Sequence, residues 1–199
     1  TETALHCYLF QAMESFNARY PNVHFKILNN STKKSIHIVK EGNVDFAVVS
    51  APFHIEKPLK KQILREYHDI LISGKRYSEL KGKQLSINQL SKYPWISLTS
   101  EAITRKFLNQ YFEKNGLKFE PDIELATTDM ILPAVRHNLG IGFIPPEFAI
   151  DDLDSEEIFE IHVQETFPER NITLIYDTEY PQSIAAKEFL KFLSETTIL

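Results

Sequence analysis

Apolar residues recur along this chain at two spacings, and the alternation between them lays out an α/β protein. Leu5, Tyr8, Leu9, Ala12, Met13 and Phe16 repeat at i, i+3 and i+4, which predicts an amphipathic helix with a threonine cap at its start. Val23, Phe25 and Ile27 alternate with His24 and Lys26, the period of a strand with one solvated face. The polar loop Asn30-Ser31-Thr32, a helix from Ile36 to Glu41 and a buried strand from Val44 to Val49 follow, ending at Ser50-Ala51-Pro52. Strands are expected at Leu59 to Arg65 and His68 to Ser73, joined at Glu66-Tyr67. Gly74-Lys75-Arg76 then reads as a connection out of a first lobe.

The pattern then starts again. A short helix at Ile87 to Leu90 and a strand at Trp95 to Leu98 lead into the hydroxyl-rich turn Thr99-Ser100-Glu101 and a helix from Arg105 to Lys114, which Asn115-Gly116 terminates. From Leu125 to Phe148 the chain reads as strand end, two threonines, a helix carrying Met130, Ile131, Ala134 and Val135, and a glycine-rich turn into the strand Ile141 to Ile144. Pro145 and Pro146 stop that strand where a helix can begin. A shift of 97 positions carries Val44 onto Ile141 and Phe46 onto Phe143, so the chain reads as two similar α/β lobes. The acidic run Asp151 to Glu157 is expected as a solvated loop. Ile158 to Val163 and Ile172 to Tyr176 are expected strands, the latter crossing back to the first lobe, and Ala185, Phe189, Phe192 and Leu193 mark a final helix.

Composition narrows the function classes. A chain of 199 residues with 43% hydrophobic and 25% charged content can bury a substantial core. Its net charge is −5, and its basic residues are scattered, which disfavours a direct grip on nucleic-acid phosphates. The single cysteine, Cys7, cannot form an internal disulfide, which favours a reducing compartment. No apolar run approaches the roughly 20 residues of a membrane helix. The chain opens at Thr1 directly into a helical pattern, so a strand, and with it a further domain, is expected upstream.

The candidate chemistry is mostly non-catalytic. The seven histidines show no metal spacing, and His6 and Cys7, adjacent on a helix, point in different directions. Gly140 and Gly142 lack the third glycine of a dinucleotide fingerprint. Neither a metal nor a cofactor is expected. Asp129, after two threonines, suits a first helical turn better than an acid catalyst. Hydroxyls instead recur where strands end and helices begin; each taken alone reads as an N-cap, and taken together they suit an anion, helped by the helix dipole.

In their order and spacing, FNARYPNV after the first helix, EGNVDFAVV on the buried strand, YPWISL and NLGIGFIPP resemble the effector-binding domain of LysR-type transcriptional regulators, over nearly all 199 residues. The resemblance implies a type 2 periplasmic-binding-protein fold: two Rossmann-like lobes, 1–73 with 173–199 and 74–172, around a ligand cleft, with hinges at 72–75 and 171–174. It implies a cytoplasmic ligand sensor without enzymatic activity, acting on an upstream winged helix-turn-helix that binds DNA. A homodimer through the surfaces around Leu9 to Tyr20 and Asn109 to Phe119, a tetramer in the full-length protein and a small-molecule effector, carboxylate or otherwise anionic, complete the expectation. The positions that match the family's pocket are Thr1, Thr3, Ser50 and Tyr67 in the first lobe and Thr99, Ser100, Thr104, Thr127 and Thr128 in the second, with Phe148 available to cover an apolar part. At Ser100-Glu101-Ala102-Ile103 the sequence departs from the family's glycine-rich turn, and Glu101 adds negative charge there. The alternative on this fold is the periplasmic solute-binding receptor of a transporter.

Overall fold

A computed structural model of the chain describes residues 1–195. It divides into two compact units, Thr1–Tyr67 together with the chain from Arg170 onward, and His68–Glu169.

The first unit opens with a continuous helical stretch, α1, made of Glu2–Ala4, a π-helical segment Leu5–Leu9, and Phe10–Arg19. Thr1 holds its N-cap position without a side-chain cap bond. Ala4, Tyr8, Ala12 and Phe16 turn inward as the helical spacing requires. Phe16 packs edge-on against Phe189 at 4.9 Å between ring centroids. After α2 (Thr32–Lys40) the chain enters β1 (Ala47–Ser50), continues through β2 (Leu59–Tyr67), and returns much later as β9 (Arg170–Asp177) and the final helix α6 (Ile184–Glu195). The sheet has the order β1-β9-β2 and both pairings are antiparallel. As the sequence implies, Ile172 to Tyr176 belongs here, its buried face packing Ile175 with Val39, Val49 and Leu59.

The second unit contains β3 (Ile70–Gly74), β4 (Gln84–Leu85), β5 (Trp95–Leu98), α3 (Ile103–Lys114), β6 (Ile123–Leu125), α4 (Ile131–Arg136), β7 (Ile141–Ile144), α5 (Ile150–Asp154) and β8 (Ile158–Val163). Its six strands run β4-β8-β3-β7-β5-β6. Strands β7, β5 and β6 are parallel to one another, whereas β3 is antiparallel to both β7 and β8. Side-chain alternation then builds a core on each face. Leu71, Trp95 and Phe143 join Tyr111, Phe112 and Phe119 on one side. Ile70, Ile72, Ile96, Leu98 and Ile144 join Ile131 and Val135 on the other. Burying each of these large side chains contributes about 1.5–3 kcal/mol before entropy is counted.

The repeat seen in the sequence has a structural counterpart at the helix ends. Gly42 (φ 70°) and Asn138 (φ 62°) stand in the left-handed region 96 positions apart. The N–H of Gly42 donates to Val39 and that of Asn43 to Ile38; the N–H of Asn138 donates to Val135 and that of Leu139 to Ala134. Both helices thus end in the same pair of capping bonds. One residue more between cap and strand in the second unit turns this offset into the 97 that aligns Val44 with Ile141.

Four expectations are corrected. Val23 to Leu28 lies outside both sheets: the described chain supplies no neighbouring strand for it, and alternation alone cannot make one. The run from Asp151 is not wholly loop, because Ile150 and Leu153 stand at helical spacing and Asp151 and Asp152 favour a first turn, giving α5. Residues 72–75 and Gly74-Lys75-Arg76 sit in β3 and the 3-10 turn that follows, within the second unit. Residues 171–174 lie inside β9.

Candidate functional site

Parallel strands β7, β5 and β6 end together, and the loops beyond their carboxyl ends are where an open α/β sheet accepts ligands. The N–H of Thr99 donates to the carbonyl of Leu125 at 3.0 Å, so the turn after β5 lies against the end of β6. This brings Thr99 and Ser100, both exposed, beside Thr127 and Thr128. Thr127 holds the N-cap position of the next turn, with its hydroxyl donating to the Asp129 carboxylate at 2.5 Å, while Thr128 is buried. Thr104 stands in the first turn of α3, half-buried. Phe148 follows the end of β7 and packs against the core that contains Ile144.

Arg105 cross-links this end of the sheet. Buried beneath the turn, it donates to the Leu98 carbonyl at 3.1 Å, to Glu124 at 2.6 Å and to Asn109 at 3.0 Å, and lies over the Phe119 ring. One guanidinium thereby ties β5, β6 and α3 together, and its charge is matched by Glu124.

In the first unit, Thr3 and Ser50 are each only 5% exposed, at the start of α1 and the end of β1. The Thr1 backbone nitrogen donates to the Val48 carbonyl at 2.8 Å. The Thr1 hydroxyl is buried without a hydrogen-bond partner. Tyr67 and Arg170 face each other in the β2–β9 register, with the Arg170 guanidinium 5.1 Å from the centre of the Tyr67 ring and its Nε donating to the Ala51 carbonyl at 3.3 Å. The predicted hydroxyls therefore fall into two sets, one at the strand ends of each unit.

Sequence reasoning missed two hydroxyls. Ser97, 1% exposed in β5, has its oxygen buried without a hydrogen-bond partner. Its place in the apolar string Trp95 to Leu98 hides it. Ser31 caps α2, accepting from the Lys34 N–H at 3.4 Å. The repeat pointed to it, since Ser31 stands 97 positions before Thr128. Among the described residues no group of His, Cys, Asp and Glu side chains could hold a metal ion, and no helix is long and apolar enough to cross a membrane.

The chain is similar to a Probable RuBisCO transcriptional regulator of Cyanophora paradoxa, 24% identical over 179 residues, covering 87% of this chain and 55% of that protein. It is similar also to the HTH-type transcriptional regulator CysB of Burkholderia cenocepacia, 26% identical over 144 residues, covering 72% of this chain and 46% of that protein. It thus spans about half the length of these curated relatives. Among solved structures, the Synechocystis PCC6803 CcmR regulatory domain in complex with 2-PG superposes with a TM-score of 0.83 at 19% identity, covering 96% of this chain and 91% of that one. The effector binding domain of QuiR in complex with shikimate superposes at 0.81 and 16% identity, covering 96% and 90%. These likenesses establish the type 2 periplasmic-binding-protein-like fold. Residues 1–197 match the LysR substrate binding domain family, and the chain belongs to it.

Proposed function

We propose that this chain is the effector-sensing domain of a LysR-type transcriptional regulator. It binds a small polar or carboxylate-bearing molecule and passes the consequence to an upstream winged helix-turn-helix that contacts DNA. The observation that carries the reading is the convergence of hydroxyls at the ends of parallel strands β5 and β6, where Thr99, Ser100, Thr127 and Thr128 surround helix starts. Such groups donate without charge, and helix N-termini favour an anion. The candidate contacts are Thr1, Thr3, Ser50 and Tyr67 of the first unit and Thr99, Ser100, Thr104, Thr127, Thr128 and Phe148 of the second, to which Ser31 and Ser97 are added.

The protein is a sensor and not an enzyme in this reading, because its site is built from hydroxyls with no paired nucleophile and base. An effector acts by preferring one conformation of the domain, and can shift the equilibrium only by its difference in affinity. The regulator proposed is cytoplasmic, dimerises through this domain and forms tetramers at full length. A transport receptor is not favoured, since the matched relatives are named as transcriptional regulators. Thermal-shift screening with small carboxylates and phosphates, beginning with 2-PG and shikimate, tests the reading. At least one compound should raise the melting temperature and remain unaltered after prolonged incubation; conversion of the bound compound to product would overturn the sensor assignment.

A further inference from the structure

Strands β7, β5 and β6 are neighbours in that order and run parallel, so the segments that leave their carboxyl ends, residues 145–149, 99–102 and 126–130, form one rim of the second unit. Each segment carries one carboxylate, Glu147, Glu101 and Asp129 respectively, and none carries lysine, arginine or histidine. The cations next along the chain do not offset them. Arg105 is buried and its charge is taken by Glu124 at 2.6 Å, and Lys106 is exposed on α3, one position past that inward-facing guanidinium. Glu101 is exposed just ahead of α3 and pairs with no cation among the described residues. The same rim offers donors as well. Ala102 holds the N-cap position of the 12-residue α3 with no side-chain cap, which leaves backbone N–H groups of the first turn for an incoming anion. Ser97, on the face of β5 where Trp95 packs against Phe112 of α3, keeps a buried hydroxyl without a hydrogen-bond partner, the mark of a polar group that a ligand completes.

We propose, resting on the sensor reading above, that the effector of this domain is an amino-carboxylic zwitterion, a molecule with an ammonium group and a carboxylate a few bonds apart. A wholly anionic effector would bring its charge against three carboxylates with no cation in the same segments, and like charges disfavour each other across a few ångström in a partly dry site. A zwitterion meets both halves of the rim. Its carboxylate takes the donors at the start of α3, from the Ser100 hydroxyl and the first helical turn, and its ammonium donates to the Glu101 carboxylate in a charge-assisted bond. Glu101 is therefore the residue that sets specificity. Asp129 contributes less, because its carboxylate already accepts from the Thr127 hydroxyl at 2.5 Å.

The test uses matched pairs of acids that differ only in an ammonium or a hydroxyl at the same carbon: alanine and lactate, aspartate and malate, phenylalanine and phenyllactate. Calorimetric titration of the native chain should show at least one amino acid binding about tenfold or more tighter than its hydroxy counterpart. Glu101→Gln should remove most of that difference and leave the melting temperature of the unliganded chain unchanged, since Glu101 is exposed. Equal affinity within every pair that binds, or a preference that Glu101→Gln leaves intact, would overturn the proposal. Binding confined to amine-free acids such as 2-PG and shikimate would also overturn it, while leaving the sensor reading standing. A chain that binds neither class of acid would overturn the sensor reading and the zwitterion with it.

Discussion

At the scale of single residues, Tyr111 shows how burial and a hydrogen bond set a protonation state. Its ring lies in the aromatic core and its hydroxyl donates to the Glu165 carbonyl at 3.1 Å. Burial first, and then the Glu165 carboxylate, push its pKa from 10.0 up to about 12. A folded-state pKa raised in this way contributes stability that is complete below the unfolded value of 10.0 and is lost as pH rises toward about 12. The native chain should accordingly weaken steeply across that alkaline interval in denaturant titrations. Tyr111→Phe should cost about 0.5–1.5 kcal/mol at neutral pH through the lost hydrogen bond, and should flatten the alkaline decline. An unchanged alkaline curve in that variant would assign the decline to other groups.

Among elements, the tightest steric demand falls on the turn into β7. A Cβ on Gly140 would run into the Pro94 carbonyl and approach Ile96 Cγ1 to 3.1 Å. That same carbonyl accepts from the Ile141 N–H at 2.9 Å, so it cannot move aside without loosening the link between β5 and β7. Gly140→Ala should destabilise the domain by about 1–3 kcal/mol, as overpacking does, and lower its melting temperature by roughly 2–4 °C for each kcal/mol. An unaltered melting temperature would mean that the turn relaxes freely. The glycines were legible in the sequence, but the reason for Gly140 was not, because Pro94 lies far from it along the chain. Elements that satisfy themselves locally, such as the amphipathic helices, could be read directly. Val23 to Leu28 could not, since a strand depends on a partner that periodicity does not supply. The α5 helix was hidden by acidic residues whose favourable place at a first helical turn outweighs their solubility as a loop. Within the candidate site the hydroxyls after strands announced themselves by position, whereas Ser97 looked like core and Ser31 like part of a polar loop.

For the molecule as a whole, the apolar arcs that suggest a dimer surface are largely spent on the interior. Leu9, Ala12 and Phe16 of α1 are buried, as are Tyr111, Phe112 and Phe119, while Phe10 remains 48% exposed. An interface on these helices would therefore rest on Phe10 and the polar outer faces, which are more salt-sensitive than an apolar seam. Sedimentation at high micromolar concentration should show a dimer that weakens with salt and with Phe10→Ser. A monomer throughout would remove the proposed assembly.

The proposed site rests on hydroxyls at strand ends and helix starts, represented by Thr3 in the first unit and Ser100 in the second. Thr3 is buried in the first turn of α1, and Ser100 is exposed beyond β5. The most direct test is calorimetric titration of the native chain, Thr3→Ala and Ser100→Ala with the compound that gives the largest thermal shift. Each variant should stay folded and bind about tenfold or more weaker, the loss of one hydrogen bond to a charged ligand at about 1.5–3 kcal/mol. Unchanged affinity in both variants would contradict the proposed site.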